Sequence, residues 1–174
     1  MEKKLWYGLP LFLIILLIGL IYWKGDTIFP YQKASLVGQY VPDFKAPYIN
    51  PLDERLTSHS LKGHYTLLVF FASWCPHCHN QLPVLREIKY KNITLIGVNI
   101  RDDFKKFKDW YKKNPDVFSK IVTDPDNKLT KSFNVVGIPE TYLINPEGKI
   151  IFNTKGSLTF KIMTQDILPL LPQS

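Results

Sequence analysis

The sequence predicts an α/β fold, a central mixed sheet flanked by helices, carried behind an N-terminal transmembrane helix. Three observations predict it. Tyr65 to Phe71, Ile93 to Ile100 and Lys120 to Thr123 are apolar runs of strand length, and segments of helical spacing separate them. That alternation builds partly parallel strands joined by helical crossovers. Two later runs, Glu140 to Asn145 and Lys149 to Asn153, flank Pro146-Glu147-Gly148, a hairpin with glycine where positive φ is needed, and the hairpin makes the sheet mixed. Finally, Leu5 to Trp23 carries no charged residue and contains the run Leu11 to Ile18.

Taken in order, the chain divides into a start and anchor over residues 1–24, a linker over 25–37, and a globular domain over 38–174. At about 1.5 Å per residue a helix over Leu5 to Trp23 nearly matches a hydrocarbon core of about 30 Å. Trp6, Tyr7, Tyr22 and Trp23 lie near its ends, where amphipathic rings settle at the membrane interface. A cleaved signal peptide would want small residues after the apolar stretch; Tyr22, Trp23 and Lys24 stand there instead, which favours an uncleaved anchor. Lys3 and Lys4 precede the span against Lys24 behind it, so the start of the chain faces the cytoplasm and the domain lies outside it. Gly25 to Val37 has turn formers and no strong period, as a linker does.

Within the domain, Tyr65 to Phe71 is a continuous apolar run, the mark of a strand buried on both faces. Pro76 to Tyr90 carries Leu82, Leu85 and Ile88 at helical spacing, with Pro83 inside as an expected kink. Phe104 to Lys113 is a second helix, closed by Asn114-Pro115, and Thr159 to Leu171 a closing helix ended around Pro169 and Pro172.

With 174 residues, 45% hydrophobic and 14% aromatic, the chain has ample material for one real core. The net charge of +7 raises the question of nucleic acid. Lys105, Lys106, Lys108, Lys112 and Lys113 share a segment with Phe104, Phe107 and Tyr111, so they read as the wet face of an amphipathic helix; a docking surface for acidic partners or lipid headgroups is the alternative. No nucleic-acid motif accompanies them, and no nucleic-acid partner is expected.

The chemistry concentrates in Trp74-Cys75-Pro76-His77-Cys78, which holds both cysteines of the chain directly after the first strand. In a strand-then-helix context this spacing is a redox dithiol. Residues i and i+3 at a helix start meet the Cα separation of roughly 4.4–6.8 Å that a disulfide needs. Unpaired backbone N–H groups and the helix macrodipole at that start favour a thiolate at Cys75, which makes Cys75 the nucleophile and Cys78 the resolving thiol. A single cysteine pair outside the cytoplasm also fits an oxidising compartment, where a reducing role needs a dedicated electron supply.

Phe70-Phe71-Ala72-Ser73-Trp74-Cys75-Pro76-His77-Cys78, then Gly137-Ile138-Pro139-Glu140-Thr141-Tyr142-Leu143-Ile144, then Gly148 give the domain its resemblance to a thioredoxin-like fold. They look like the membrane-tethered, extracytoplasmic thiol-disulfide oxidoreductases of cytochrome c maturation, the DsbE/CcmG group, with their ResA and TlpA relatives. The resemblance implies a periplasmic or other extracytoplasmic domain on a single-pass inner-membrane anchor. It implies reduction of disulfides, chiefly those of apocytochrome c haem-binding cysteines, with apocytochrome c or a maturation factor as protein substrate. A membrane electron donor of the DsbD/CcdA type would recharge the dithiol, and the lipid bilayer is the remaining partner. No cofactor and no metal are expected.

The same resemblance gives roles to residues around the dithiol. Pro139 resembles the cis-proline that faces the dithiol, with Ile138 offering backbone groups to the substrate; an ordinary trans-proline in a loop is the alternative. His77, when protonated, would stabilise the Cys75 thiolate, and the Pro-His dipeptide looks like that of DsbA-type oxidants of secreted proteins. Glu140 follows the proline, and a buried acid there would shuttle the Cys78 proton, whereas a strand-edge glutamate in solvent would not. A second acid found in many relatives three positions after the second cysteine is absent, since Gln81 stands there. Trp74 reads as a packing cap on the site.

Other classes compete. Cys75-Pro76-His77-Cys78-His79 formally matches the C-x-x-C-H haem-attachment pattern, but a helix starting at Cys75 in a packed sheet leaves no haem pocket, and Met163, His59 and His64 are the remaining candidate axial ligands. Zinc held by Cys75, Cys78, His77 and His79 is weaker, because four ligands within five consecutive residues do not readily surround a tetrahedral ion. A non-enzymatic module that only binds apocytochrome would need Pro139 and an apolar surface but no turnover.

Overall fold

The computed structural model describes residues 10–20, 35–49, 54–89 and 91–172. The chain divides into two compact units, Met1–Ala34 and Ser35–Ser174. In the first, residues 10–20 form a helix, α1, every residue of it exposed. Among the described residues no helix is long and apolar enough to cross a membrane. The expected span from Leu5 to Trp23 runs beyond α1 at both ends, and those ends, with most of the expected linker, lie outside the described residues.

The second unit is organised by β3 (Thr66–Phe71), whose six residues are all buried. β4 (Thr94–Asn99) runs parallel to it and β5 (Lys120–Thr123) parallel to β4. On the other side β6 (Glu140–Ile144) is antiparallel to β3, and β7 (Ile150–Lys155) antiparallel to β6. The order β5-β4-β3-β6-β7 is the mixed sheet expected. Asn145 and Gly148 close the β6–β7 turn, with Gly148 at φ +82°.

Because side chains alternate across a strand, β3 feeds two cores. Leu67, Val69 and Phe71 face one, with Leu85, Ile88, Phe107, Trp110, Met163, Ile167 and both cysteines. Leu68 and Phe70 face the other, with Leu56, Leu61, Leu129, Phe133 and Tyr142. Gly97 on β4 lies under the first: a Cβ there would stand 2.8 Å from Phe71 Cε1 and 3.0 Å from Phe118 Cδ2.

The helices depart from expectation where proline and burial decide. The segment after the dithiol breaks at Gln81 into α2 (Pro76–Asn80) and α3 (Leu82–Ile88). Proline is tolerated in a first turn, where its missing N–H costs nothing, so Pro83 opens a new helix rather than kinking an old one. α4 (Phe104–Lys113) has the bounds expected, and Asp103 Oδ1 caps it by accepting from Lys106 N at 2.9 Å. Its buried stripe is Phe107 and Trp110, however, with Phe104 59% and Tyr111 40% exposed. The ring of Phe71, 5.2 Å from Trp110 and 6.4 Å from Phe107, selects that stripe. The closing helix is irregular: α6 (Phe160–Ile162) widens into a π turn over Met163–Ile167, then tightens to 3₁₀ over Leu168–Leu170 around Pro169.

Two features are new. β1 (Lys45–Pro47) and β2 (Arg55–Thr57) form a separate antiparallel pair, bridged to β5 through Tyr48 and Val122. α5 (Lys128–Ser132) is held by buried Asp124, whose carboxylate accepts from the N–H groups of Leu129 and Thr130.

Candidate functional site

β3 ends at Phe71 and delivers Ala72, Ser73 and Trp74 to the end of the sheet, so Cys75 falls at the N-cap of α2. Its Sγ accepts from Cys78 N–H at 3.3 Å, a helix-start donor that it shares with the Cys75 carbonyl oxygen at 3.1 Å. Both thiols are free and buried, at 4% and 3% exposure. Cys75 Sγ also lies 3.8 Å from the carbonyl oxygen of Ile138. The Ile138–Pro139 bond is cis, so the trans alternative does not hold. Two segments more than 60 residues apart thus meet at one sulfur.

The two thiols differ in environment. Burial pushes the Cys78 thiol far above its ordinary range, its bond with Cys75 adds to this, and the charges of Cys75 and Asp102 act the same way. Cys78 therefore keeps its proton.

Sequence reading missed the loop that grips the approach to Cys75. Asp102 accepts from Ser73 N and Ser73 Oγ, the latter at 2.7 Å, and from Asn99 Nδ2 at 2.7 Å. Next to it Arg101, at φ +47°, turns its carbonyl to Trp74 Nε1 at 2.9 Å. An Asp pair before a helix signals only an N-cap, which Asp103 supplies, so nothing in the sequence marked Asp102. Trp74 is 54% exposed and is held by that hydrogen bond; it is not the packing cap expected. With His79, Leu82, Trp110, Lys106 and Lys113 it lines a groove of about 540 Å³.

His77 is exposed, and its carbonyl accepts from Ser157 Oγ at 2.8 Å. His79 places Nε2 2.8 Å from the Ser73 carbonyl, with its ring parallel to Trp110. The nitrogen that an axial haem ligand needs is thus occupied within the protein. Glu140 is 2% exposed, which excludes the solvated strand-edge alternative. Its Oε1 accepts from Tyr142 OH at 2.7 Å and from Asn153 Nδ2 at 3.2 Å, while Oε2 is buried without a partner among the described residues. The carboxyl lies on the Tyr142 face of β6, across the sheet from the cysteines. Burial and Glu140 together push the Tyr142 hydroxyl upward. Gln81, where an acid was noted to be absent, is fully buried and accepts from Leu158 N at 3.1 Å.

This geometry is a dithiol at a helix start facing a cis-proline loop, and comparison with known proteins leads to the same chemistry. Residues 37–153 match the AhpC/TSA family. A thiol:disulfide interchange protein DsbE from Pseudomonas aeruginosa is 29% identical over 92% of this chain and 89% of its own. One from Xylella fastidiosa is 30% identical over 80% and 72%. The crystal structure of StoA from Bacillus subtilis is 28% identical, with a TM-score of 0.57 over 68% of this chain and 91% of that one. The chain belongs to the AhpC/TSA family, and among those thioredoxin-like proteins it is a thiol-disulfide oxidoreductase of the DsbE group.

Proposed function

We propose that the protein is a membrane-anchored, extracytoplasmic reductant of protein disulfides that serves cytochrome c maturation. The observation that carries the thiol-disulfide chemistry is the meeting of Cys75 Sγ with Cys78 N–H at 3.3 Å and the Ile138 carbonyl at 3.8 Å. A substrate chain lying along Ile138 and Pro139 brings its disulfide to that sulfur.

Cys75 thiolate attacks one sulfur of the substrate disulfide, the S–S bond breaks, and the leaving sulfur takes a proton. In the mixed disulfide Cys75 no longer carries a charge, which removes part of what holds the proton on Cys78. Cys78 then gives up its proton and attacks Cys75 Sγ, releasing the second substrate thiol. The substrate gains two electrons and two protons, and Cys75–Cys78 is left as a disulfide. A membrane donor of the DsbD/CcdA type supplies the electrons that reopen it.

Glu140 joins this reading as the proton relay, supported by its burial and by the unpartnered Oε2. Its hydrogen bonds run to Tyr142, on the sheet face opposite the cysteines, so a relay from it is indirect, without a contact to Cys78. Glu140→Gln then slows the second exchange and leaves the first unchanged. The anchor is Leu5 to Trp23, and the apolar, exposed α1 within it supports that reading. The apocytochrome substrate rests on the likeness to DsbE proteins.

The Pro76-His77 dipeptide favours a second reading, a DsbA-like dithiol oxidant, because a stabilised thiolate makes the disulfide more oxidising. The reduction potential of the couple decides between them. It is measured on the detergent-purified protein in glutathione buffers by Trp74 fluorescence. A value at or below about −180 mV is expected, and one near −120 mV overturns the reductant reading.

A further inference from the structure

α2 is five residues long and is not continuous with α3. Pro83 has no N–H to return to the His79 carbonyl, so no long helix fixes how the dithiol turn sits. Three consecutive residues after β7 reach it instead. Gly156 N donates to the Pro139 carbonyl at 2.8 Å, Ser157 Oγ to the His77 carbonyl at 2.8 Å, and Leu158 N to Gln81 Oε1 at 3.1 Å. One segment therefore holds the cis-proline loop, the middle of the dithiol turn at His77, and the residue that follows α2.

Gln81 shows why its side chain is there. It is fully buried, Oε1 has its partner, and Nε2 has none among the described residues. An apolar side chain would fill the same space without a stranded donor, so what the amide contributes is its acceptor.

We propose that Gln81 and Ser157 are positioning residues, which hold the dithiol turn against the Ile138-Pro139 loop through the segment Gly156-Ser157-Leu158. The proposal rests on the reading of Cys75 as the nucleophile toward a chain lying on that loop. A disulfide exchange is sensitive to sub-ångström placement of the attacking sulfur, so loosening the clamp slows attack on a substrate that must seat on the loop. A small reagent that needs only the thiol is indifferent to it.

The test uses the full chain in detergent and compares Ser157→Ala, Ser157→Thr and Gln81→Met with the parent. Two rates are read: single-turnover reduction of a peptide disulfide, and alkylation of Cys75 by iodoacetamide. Ser157→Ala and Gln81→Met are expected to slow the peptide reaction about tenfold, with alkylation unchanged within about twofold and Ser157→Thr restoring the peptide rate. Equal loss of both rates, or loss of neither, overturns the clamp. Ser157 is partly exposed, so Ser157→Ala carries the test alone if Gln81→Met does not fold. The underlying reading fails by a separate result, which is peptide reduction that survives Cys75→Ser.

Discussion

Cys75 and Cys78 sit one helical turn apart and are equally buried, yet they are chemically unequal. Cys75 takes the helix-start N–H, whereas Cys78 is desolvated and faces both Cys75 and Asp102. That inequality has a consequence for stability. The Cys78 thiol loses its proton at higher pH in the folded protein than in the unfolded chain. Above the ordinary thiol range the unfolded state therefore binds fewer protons than the native state, and stability falls as pH rises. In the reduced protein it is expected to be level up to about pH 8.5 and then to drop by about 1.4 kcal/mol per pH unit. Tyr142, raised in the same sense, adds to the decline above about pH 10. Guanidinium unfolding between pH 7 and 10 checks this, with Cys78→Ala as control. A slope that Cys78→Ala leaves intact refutes the assignment.

Among the elements, β4 shows how the site's foundation is built. Phe71, the last residue of the strand that delivers the dithiol, packs on Phe118 at 4.8 Å and on Trp110 at 5.2 Å. Gly97 gives these rings their room. Gly97→Ala pushes a methyl group into Phe71 and Phe118, and overpacking of this kind costs about 1–3 kcal/mol. The expected outcome is a lower denaturant midpoint with an unchanged slope, read by Trp fluorescence. A midpoint equal to the parent's means that the rings relax freely. α4 carries the complementary lesson. Its bounds are legible in Asp103 and Asn114-Pro115, but its buried face is not, because Phe104, Phe107, Trp110 and Tyr111 are all aromatic and only the position of Phe71 decides among them.

The whole molecule joins an apolar N-terminal helix to a redox domain. An anchor over Leu5 to Trp23 predicts that the protein stays in the membrane pellet after alkaline carbonate extraction. Release into the supernatant contradicts the anchor. The sequence by itself determined the five strands of the main sheet, the bounds of α4 and the dithiol, because apolar period and cysteine spacing are local signals; the loop that faces the dithiol was legible only through the family resemblance carried around Ile138-Pro139. The mixed sheet follows from the same signals, through the parallel crossovers and the one hairpin. Only the tertiary structure decided that Pro83 opens a helix, that Trp74 is held by the Arg101 carbonyl, and that Asp102 grips Ser73. It also decided that Glu140 turns to Tyr142 and that Gln81 and Ser157 reach across some 80 residues to join the dithiol turn to the segment after β7. Apart from the Pro83 break and the Glu140–Tyr142 bond, which are local, each of these is a contact between distant segments, and a side chain's partner across such a distance has no period or spacing to announce it.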